Sequence, residues 1–323
     1  MSRILITGGL GLIGHNVALK LEQMGHVPII IDNQTSYGSI PEDELAYLMQ
    51  ERKKKLHKSE YHFGDILETS LVEWIINRHE IDTVIHLASF PRQKTVGANP
   101  TWASATMSTG LINMLEVSKK YSVKKFLYAS SSMVYGDFTD QVREDAVCKP
   151  QGQYGIMKLA GELLVKDYAR KSDMKYTIIR PSAVYGPLDV EDRVISKFIL
   201  TAMRGGTLKV NGATETLDFT YVDDAANGII AATLSDNTNN KTYNITKSHS
   251  RSLLDAANLA VQIVGKGTVE VRGKDADFPS RGALCIDAAK NDFGYDPKVD
   301  VEEGFQKYYV WLSNSPFWSQ KTV

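Results

Sequence analysis

The sequence predicts an α/β protein: a doubly wound parallel sheet with helices on both faces, followed by a smaller, discontinuous C-terminal lobe. Three observations predict it. Short apolar runs alternate with helix-period segments through the first half of the chain. A glycine-rich turn joins the first of those runs to the first helical segment. Beyond Arg180-Pro181 the alternation loosens into shorter elements separated by loops such as Gly205-Gly206 and residues 237–240.

The elements follow in order. Residues 4–6, 27–31, 83–87 and 126–129 are short, apolar and rich in Ile, Val and Leu, as strands buried on both faces require. Between them, residues 13–24, 69–78 and 101–121 carry apolar positions at helical spacing. A further helix over 155–170 and a strand over 176–179 continue the series, and right-handed βαβ units at this spacing give a doubly wound sheet. Two later segments, 219–234 and 243–245, are expected to return to it. With 323 residues there is room for one large unit and one small. The expected division gives residues 1–180, plus about 218–247, to the first domain. About 181–217 and 248–323 form the second, a substrate-binding lobe whose ligand cleft lies at the carboxyl ends of the strands.

Composition excludes several function classes. A net charge of −1 and a pI near 6.7 leave no electrostatic footprint for DNA or RNA. The most basic run, residues 51–55 (ERKKK), follows acidic residues in a helix-like segment and is expected to be a solvated helix face. Two cysteines, Cys148 and Cys285, are too far apart for a Cys-x-x-Cys motif and are expected to be reduced thiols. No clustered ligand spacing suggests a metal. The N-terminus runs into a strand with no charged leader, and no apolar stretch approaches a membrane span. A cytoplasmic protein with a small-molecule substrate is expected.

The turn after the first strand reads Thr7-Gly8-Gly9-Leu10-Gly11-Leu12-Ile13-Gly14. Glycine there permits a tight turn and lets backbone N–H groups approach a pyrophosphate, which the helix N-terminus also attracts. Position gives the motif its weight: a strand before it, an amphipathic helix after it, and an acidic residue, Asp32, ending the next strand. A carboxylate at that point accepts hydrogen bonds from ribose hydroxyls and repels a 2′-phosphate, so NAD is favoured over NADP. A turn aspartate is the structural alternative.

Tyr154-Gly155-Ile156-Met157-Lys158 places a phenol and an ammonium four residues apart, on one helix face. A free tyrosine, with a pKa of about 10, is a poor proton acceptor at neutral pH. A neighbouring cation and a positive nicotinamide ring favour the phenolate, which takes a hydroxyl proton as hydride leaves the same carbon. Lys158 is also placed to hold the nicotinamide ribose. The same spacing recurs at Tyr121 and Lys125, but Tyr121 precedes the strand over 126–129, at its buried end, and is expected to be structural. A hydroxyl at the other end of that strand should complete the site, and Ser130, Ser131 and Ser132 are the candidates.

With its leading Thr and G-x-x-G-x-x-G spacing, the glycine turn resembles that of the extended short-chain dehydrogenase/reductase family, in particular its NAD-dependent epimerase/dehydratase group. Gly64-Asp65-Ile66 resembles the family's adenine-contacting element after the third strand, and His86-Leu87-Ala88 its segment along the cofactor. A core role, not a catalytic one, is expected for His86. Residues 129–136 (ASSSMVYG), 180–187 (RPSAVYGP) and 217–224 (LDFTYVDD) extend the resemblance, which runs from residue 3 to about 312. It implies a Rossmann-type fold. The implied cofactor-binding set is Gly8, Gly11, Leu12, Ile13, Gly14, Asp32, Asn33, Asp65, Ile66, Leu87, Ala88, Ser89, Tyr154, Lys158 and Pro181. The implied catalytic set is Tyr154, Lys158 and Ser131, with Ser132 as the fallback hydroxyl. Ser131, Ser132 and Arg281 are the implied substrate contacts.

Dehydratases of the family carry acids where this chain has Ser132 and Met133, and neither residue is a general acid at neutral pH. The arrangement is therefore closest to UDP-galactose 4-epimerase-like proteins, implying a nucleotide-sugar epimerase that oxidises a sugar hydroxyl, at C4, and returns the hydride. A sugar dehydrogenase or reductase with net cofactor turnover is the alternative, and a dinucleotide-sensing regulator the third reading. Three departures bear on the substrate. Ala183 and Leu217 stand where Asn and Arg usually contact the nucleotide-sugar, and Met107 stands where a cofactor-side Asn is common. Arg281, with Lys209 or Arg92, is the candidate replacement for the missing anion contact. Relatives dimerise through two helices corresponding to 101–121 and 153–171, so a homodimer is implied; Trp102, Met107, Leu111, Met114 and Leu115 on the first serve either that interface or the core.

Overall fold

A computed structural model describes residues 3–90, 92–139, 141–275 and 278–320. Its first half runs β1 (Ile4–Thr7), α1 (Leu12–Gln23), β2 (Ile29–Asp32), α2 (Glu42–Lys54), β3 (Glu60–Phe63), α3 (Thr69–Arg78) and β4 (Thr83–His86). Next come α4 (Gln93–Ala98), α5 (Pro100–Ser104), α6 (Leu111–Lys120), β5 (Lys125–Ala129), α7 (Gly152–Arg170) and β6 (Lys175–Pro181). The second half begins with β7 (Val184–Tyr185), α8 (Val194–Met203), β8 (Thr207–Asn211), β9 (Thr216–Asp218), β10 (Thr220–Tyr221), α9 (Val222–Leu234) and β11 (Lys241–Ile245). It closes with β12 (Ser250–Ser252), α10 (Leu253–Val264), β13 (Thr268–Arg272), α11 (Asp287–Phe293), α12 (Val301–Asn314) and α13 (Pro316–Gln320).

Seven strands form one parallel sheet in the order β11-β6-β5-β4-β1-β2-β3, a Rossmann-type arrangement. Successive side chains of β1 point to opposite faces, and both are covered. Ile4 and Ile6 join the core under α1 and α9, whereas Leu5 joins the core under α3, α6 and α7. Chain order reverses between β1 and β4, whose register sets Thr7 beside His86, and the ligand crevice of such sheets opens at that point. A third core lies apart from the sheet. Phe198, Leu208, Phe219, Ala257, Phe305 and Trp318 belong to it, and three two-stranded sheets frame it: β7–β10, β9–β12 and β8–β13.

Three elements differ from the sequence expectation. Of residues 219–234, only Thr220–Tyr221 is strand, and it pairs with β7 outside the main sheet. From Val222 the chain is helical, and α9 packs along α1 against the sheet face instead of joining the sheet edge. The helix over 101–121 is interrupted by a π-helical turn at Ala105–Gly110, a local widening often found at functional sites. The edge strand β3 (EYHF) has no buried residue, so no apolar run marks it.

Candidate functional site

The glycine turn is built for close approach. Gly8 lies in the left-handed region (φ 66°), where a side chain is strained, and a Cβ there would meet the backbone of Ala88 at 2.9 Å. A Cβ on Gly14 would sit 2.3 Å from the Gly8 carbonyl oxygen, so α1 can start this close to β1 only with glycine at that position. Asp32 closes the loop from β2, accepting hydrogen bonds from the Leu10 N–H (2.9 Å) and the Gln34 N–H (2.7 Å). Burial pushes its carboxyl upward, and those two N–H groups with the charge of Arg52 oppose the shift.

Ten of the residues expected to hold a dinucleotide line one cleft beside this loop: Gly8, Gly11, Leu12, Asp32, Asn33, Asp65, Ile66, Leu87, Ala88 and Ser89. Asn33 donates to the Asp65 carboxylate across 2.8 Å, tying the ends of β2 and β3 together. Ile13 and Gly14 instead support the loop from within: Ile13 packs against the core and Gly14 against Gly8. Pro181 ends β6, beside Ile245 of β11. An acidic carboxylate lining the cleft, N–H groups at a helix start and a cradle that any Cβ would fill fit a dinucleotide.

At the carboxyl end of β5 the chain turns through Ser131, whose Oγ accepts the Met133 N–H (3.2 Å) and caps a single helical turn at Ser132–Val134. The Ser131 hydroxyl acts on the Tyr154 phenol and favours its ionised form. Tyr154 enters from the first turn of α7, its backbone N–H bound to Gln93 Oε1 (3.2 Å). Lys158, one turn later and buried, donates to the Ala129 carbonyl across 2.7 Å. Its Nζ lies 5.8 Å from the Tyr154 ring centre and 5.3 Å from that of Tyr128. Ser131, Tyr154 and Lys158 therefore converge. Tyr121 caps the far end of α6, away from them, with Lys120 over its ring.

Electrostatics here differ from the sequence expectation. Burial pushes the Tyr154 phenol above its ordinary range; Arg193, the Ser131 hydroxyl and Arg281 pull it down, in that order. Lys158 is not the dominant charge on the phenol. It is itself pushed down to about 7 by burial, with Glu162 opposing. His86 behaves as a core residue: it is buried, its Nδ1 faces Thr7 Oγ1 at 3.0 Å, and burial lowers it to about 3, so it is neutral.

Beneath the cluster lies a buried polar network. Glu162 accepts from Ser130 Oγ (2.5 Å), from Arg180 Nε (2.9 Å) and from the other arm of the same guanidinium (2.7 Å). Arg180 also donates to the Tyr135 hydroxyl (2.8 Å), which donates to Asn244 (2.8 Å). One bidentate pair thus joins α7 to β6, and its further hydrogen bonds reach Ser130 just past β5 and, through Tyr135, Asn244 of β11.

Sequence reading missed several lining residues. Arg52, read as part of a solvated face, is 4% exposed. It donates to the Leu10 and Leu188 carbonyls at 2.8 and 2.6 Å, bridging the glycine turn and the second lobe. Only the spacing Glu44, Leu48, Arg52 down one helix face could have exposed it. Tyr37, Thr106, Asp189 and Arg193 also line the cleft. Arg92 lines it too and pairs with Asp192 at 2.7 Å. Lys209 is exposed on β8, in register with Glu270. Arg281 faces Tyr154, and its buried Nε has no partner among the described residues. Ser132 is buried, its Oγ likewise unpartnered, and Met133 is 5% exposed.

Fold and site together define a Rossmann-type dinucleotide protein with a serine, a tyrosine and a lysine brought together near the carboxyl end of β5. The chain belongs to the NAD dependent epimerase/dehydratase family, whose model matches residues 4–246. Among its relatives, a protein named putative UDP-glucose 4-epimerase from Methanocaldococcus jannaschii is 30% identical over 97% of this chain and 99% of its own length. The fold is shared with the UDP-glucose 4-epimerase of Thermotoga maritima in its structure with UDP-glucose (TM-score 0.85, 27% identity, 96% of this chain and 98% of that one). It is also shared with the UDP-glucuronic acid 4-epimerase of Bacillus cereus in complex with UDP-glucuronic acid and NAD (TM-score 0.88, 28% identity, 96% and 98%).

Proposed function

We propose that this chain is an NAD-dependent epimerase of a UDP-sugar, acting by transient oxidation of the sugar hydroxyl at C4 and return of the hydride to the opposite face. One observation carries the choice of epimerisation over dehydration. The positions where a dehydrating enzyme needs acids hold the buried Ser132 and Met133 instead. Proton transfer in this reading has a single relay, and positions 132 and 133 supply no second acid to expel water.

In this reading Gly8, Gly11 and Gly14 admit the pyrophosphate, Asp32 holds the adenosine ribose, and Asp65 and Ile66 flank the adenine. NAD, when bound, supplies the acceptor and later the donor of the hydride. Tyr154 Oη, as phenolate, takes the proton of the C4 hydroxyl as hydride leaves that carbon, and gives it back to the same oxygen when hydride returns. Ser131 Oγ already accepts the Met133 N–H, so its one hydrogen acts as a donor, toward the Tyr154 oxygen and then toward the reacting oxygen when substrate binds. Lys158 adds positive charge and holds the nicotinamide ribose. Arg281, with an unpartnered buried Nε, serves the diphosphate in place of the arginine that Leu217 replaces; Leu217 packs against the core of the lobe.

The test is incubation of the purified protein with UDP-glucose and UDP-glucuronic acid, followed by proton NMR of the anomeric region and absorbance at 340 nm. The C4 epimer should appear without net NADH, and Tyr154→Phe should lower the rate by at least about 10²-fold. Stoichiometric NADH with an oxidised sugar would instead identify a dehydrogenase.

We assign residues 1–180 with about 218–247 to the cofactor domain and about 181–217 with 248–323 to the substrate lobe. We also propose a homodimer. Met107, Leu111, Met114 and Leu115 are buried within this chain and cannot serve an interface. The face of α5, α6 and α7 nevertheless exposes Trp102 (64%), Ile112 (37%), Ile156 (53%) and Leu163 (60%), an apolar surface that a second copy would cover. Leu163→Asp should convert a dimer into a monomer in light scattering; a wild-type monomer would remove the assignment. Free Cys148 and Cys285 and dependence on NAD are consistent with a cytoplasmic location. Among the described residues no helix is long and apolar enough to cross a membrane.

A further inference from the structure

We propose a second site, outside the cleft: a divalent transition-metal site formed by Glu60, His62 and His79 on the exposed edge of the sheet. Glu60 and His62 are alternate residues of β3 and so project from the same face of the strand. Helix α3 runs back along the sheet and ends at His79, its C-terminal cap. The return brings the two imidazoles together, Nε2 facing Nε2 at 3.0 Å with ring centres 5.1 Å apart. The Glu60 carboxylate lies 3.8 Å from His79 Nδ1, and one ligand atom from each of the three residues falls within 4.8 Å of the others.

Two ring nitrogens this close share one proton, since both cannot donate and both cannot accept. A divalent cation takes the place of that proton. Zinc–nitrogen distances of about 2.0–2.1 Å with tetrahedral angles put two imidazole nitrogens about 3.4 Å apart. The rings therefore need to separate only by a few tenths of an ångström. The Glu60 carboxylate, which now lies beside the other nitrogen of His79, swings over to supply an oxygen, and solvent completes the shell on its exposed side. Two imidazoles and one carboxylate suit Zn²⁺, Cu²⁺ or Ni²⁺; Mg²⁺ and Ca²⁺, which want oxygen ligands, are poor occupants. Sequence spacing hides the set, because His62 and His79 are separated by the whole of α3.

Trp74 makes the site observable. Its indole stands edge-on to both rings, 5.4 Å from His62 and 6.2 Å from His79. The experiment uses the full chain without an added histidine tag, stripped with EDTA, and two probes: ZnCl₂ in calorimetry and CuCl₂ in a fluorescence titration. One Zn²⁺ per chain is expected, and His62→Gln and His79→Gln should each weaken it by on the order of tenfold or more. Cu²⁺ should quench a fraction of the emission that saturates at one equivalent and disappears in Trp74→Phe, while Trp74→Phe still binds Zn²⁺. Binding that is equally weak in wild type and in His79→Gln, or quenching that survives Trp74→Phe, overturns the proposal and leaves a hydrogen-bonded histidine pair. Gln side chains are tolerated at such half-exposed positions, and circular dichroism of each variant separates lost ligation from lost folding.

Discussion

Neutralising one buried carboxylate should disturb both stability and the pH dependence of turnover. Glu162 is fully buried and accepts three hydrogen bonds, two of them from Arg180. In Glu162→Gln the shape is nearly kept, but an NH₂ group replaces one accepting oxygen and faces a guanidinium that can only donate. Arg180, 3% exposed, is left as an uncompensated buried charge, a loss worth about 3–5 kcal/mol. Glu162 also holds up the proton affinity of Lys158, which burial has already lowered to about 7. Without the carboxylate that value falls further, so Lys158 loses its charge at a lower pH. If the charged form supports the Tyr154 phenolate, the alkaline limb of kcat/KM moves toward acid, and activity at pH 8 falls more than at pH 6. Urea unfolding followed by far-ultraviolet circular dichroism measures the first effect, and a pH–rate profile with a UDP-sugar the second. A variant within about 1 kcal/mol of wild type, with its alkaline limb unmoved, would refute the reasoning on both counts.

Two further predictions concern stability. Lys158 is charged at some cost: a fall from 10.5 to about 7 corresponds to roughly 5 kcal/mol. Its folded pKa lies below its unfolded one, so the penalty is full below about pH 7 and fades as pH rises toward 10.5. Lys158→Met should therefore be inactive yet more stable by a few kcal/mol at neutral pH, with the gap to wild type closing in alkali; a gap constant with pH in urea titrations would contradict this. Ala183 adopts a left-handed conformation (φ 38°), which costs a residue with a Cβ about 1–2 kcal/mol. Ala183→Gly should raise stability by about 1 kcal/mol, and a lower urea midpoint would mean that packing of its methyl group outweighs the strain.

What was legible in the sequence is what the backbone demands locally. Gly8 and Gly14 announce themselves because no other residue fits their φ or their contacts, and Asp32 because it ends a strand beside them. Tyr154 could be told from Tyr121 by strand order alone: one follows β5 and the other precedes it. Residues whose meaning depends on distant partners were not legible. Arg52 reads as one more surface cation until Leu10 and Leu188 supply its acceptors. Arg193 and Arg281 come from different elements to face one phenol, and no spacing rule joins them. The edge strand β3 carries half-exposed polar residues, and α9 shares with buried strands a run of small and branched apolar side chains that periodicity resolves poorly.

The core that lies apart from the main sheet is assembled from threads that leave and return. Strand β8 lies in register with β13, sixty-one positions further on at Thr207 and Thr268, and β9 with β12; between them the chain departs to lay down α9 and β11 against the main sheet. During synthesis, β8 and β9 therefore emerge long before the strands that will pair with them, and they wait as open edges. A chain halted before residue 268 would hold all seven strands of the main sheet and still lack β13, α11 and α12. Premature stops and late frameshifts should accordingly yield an adhesive fragment needing chaperone protection, not a half-working enzyme.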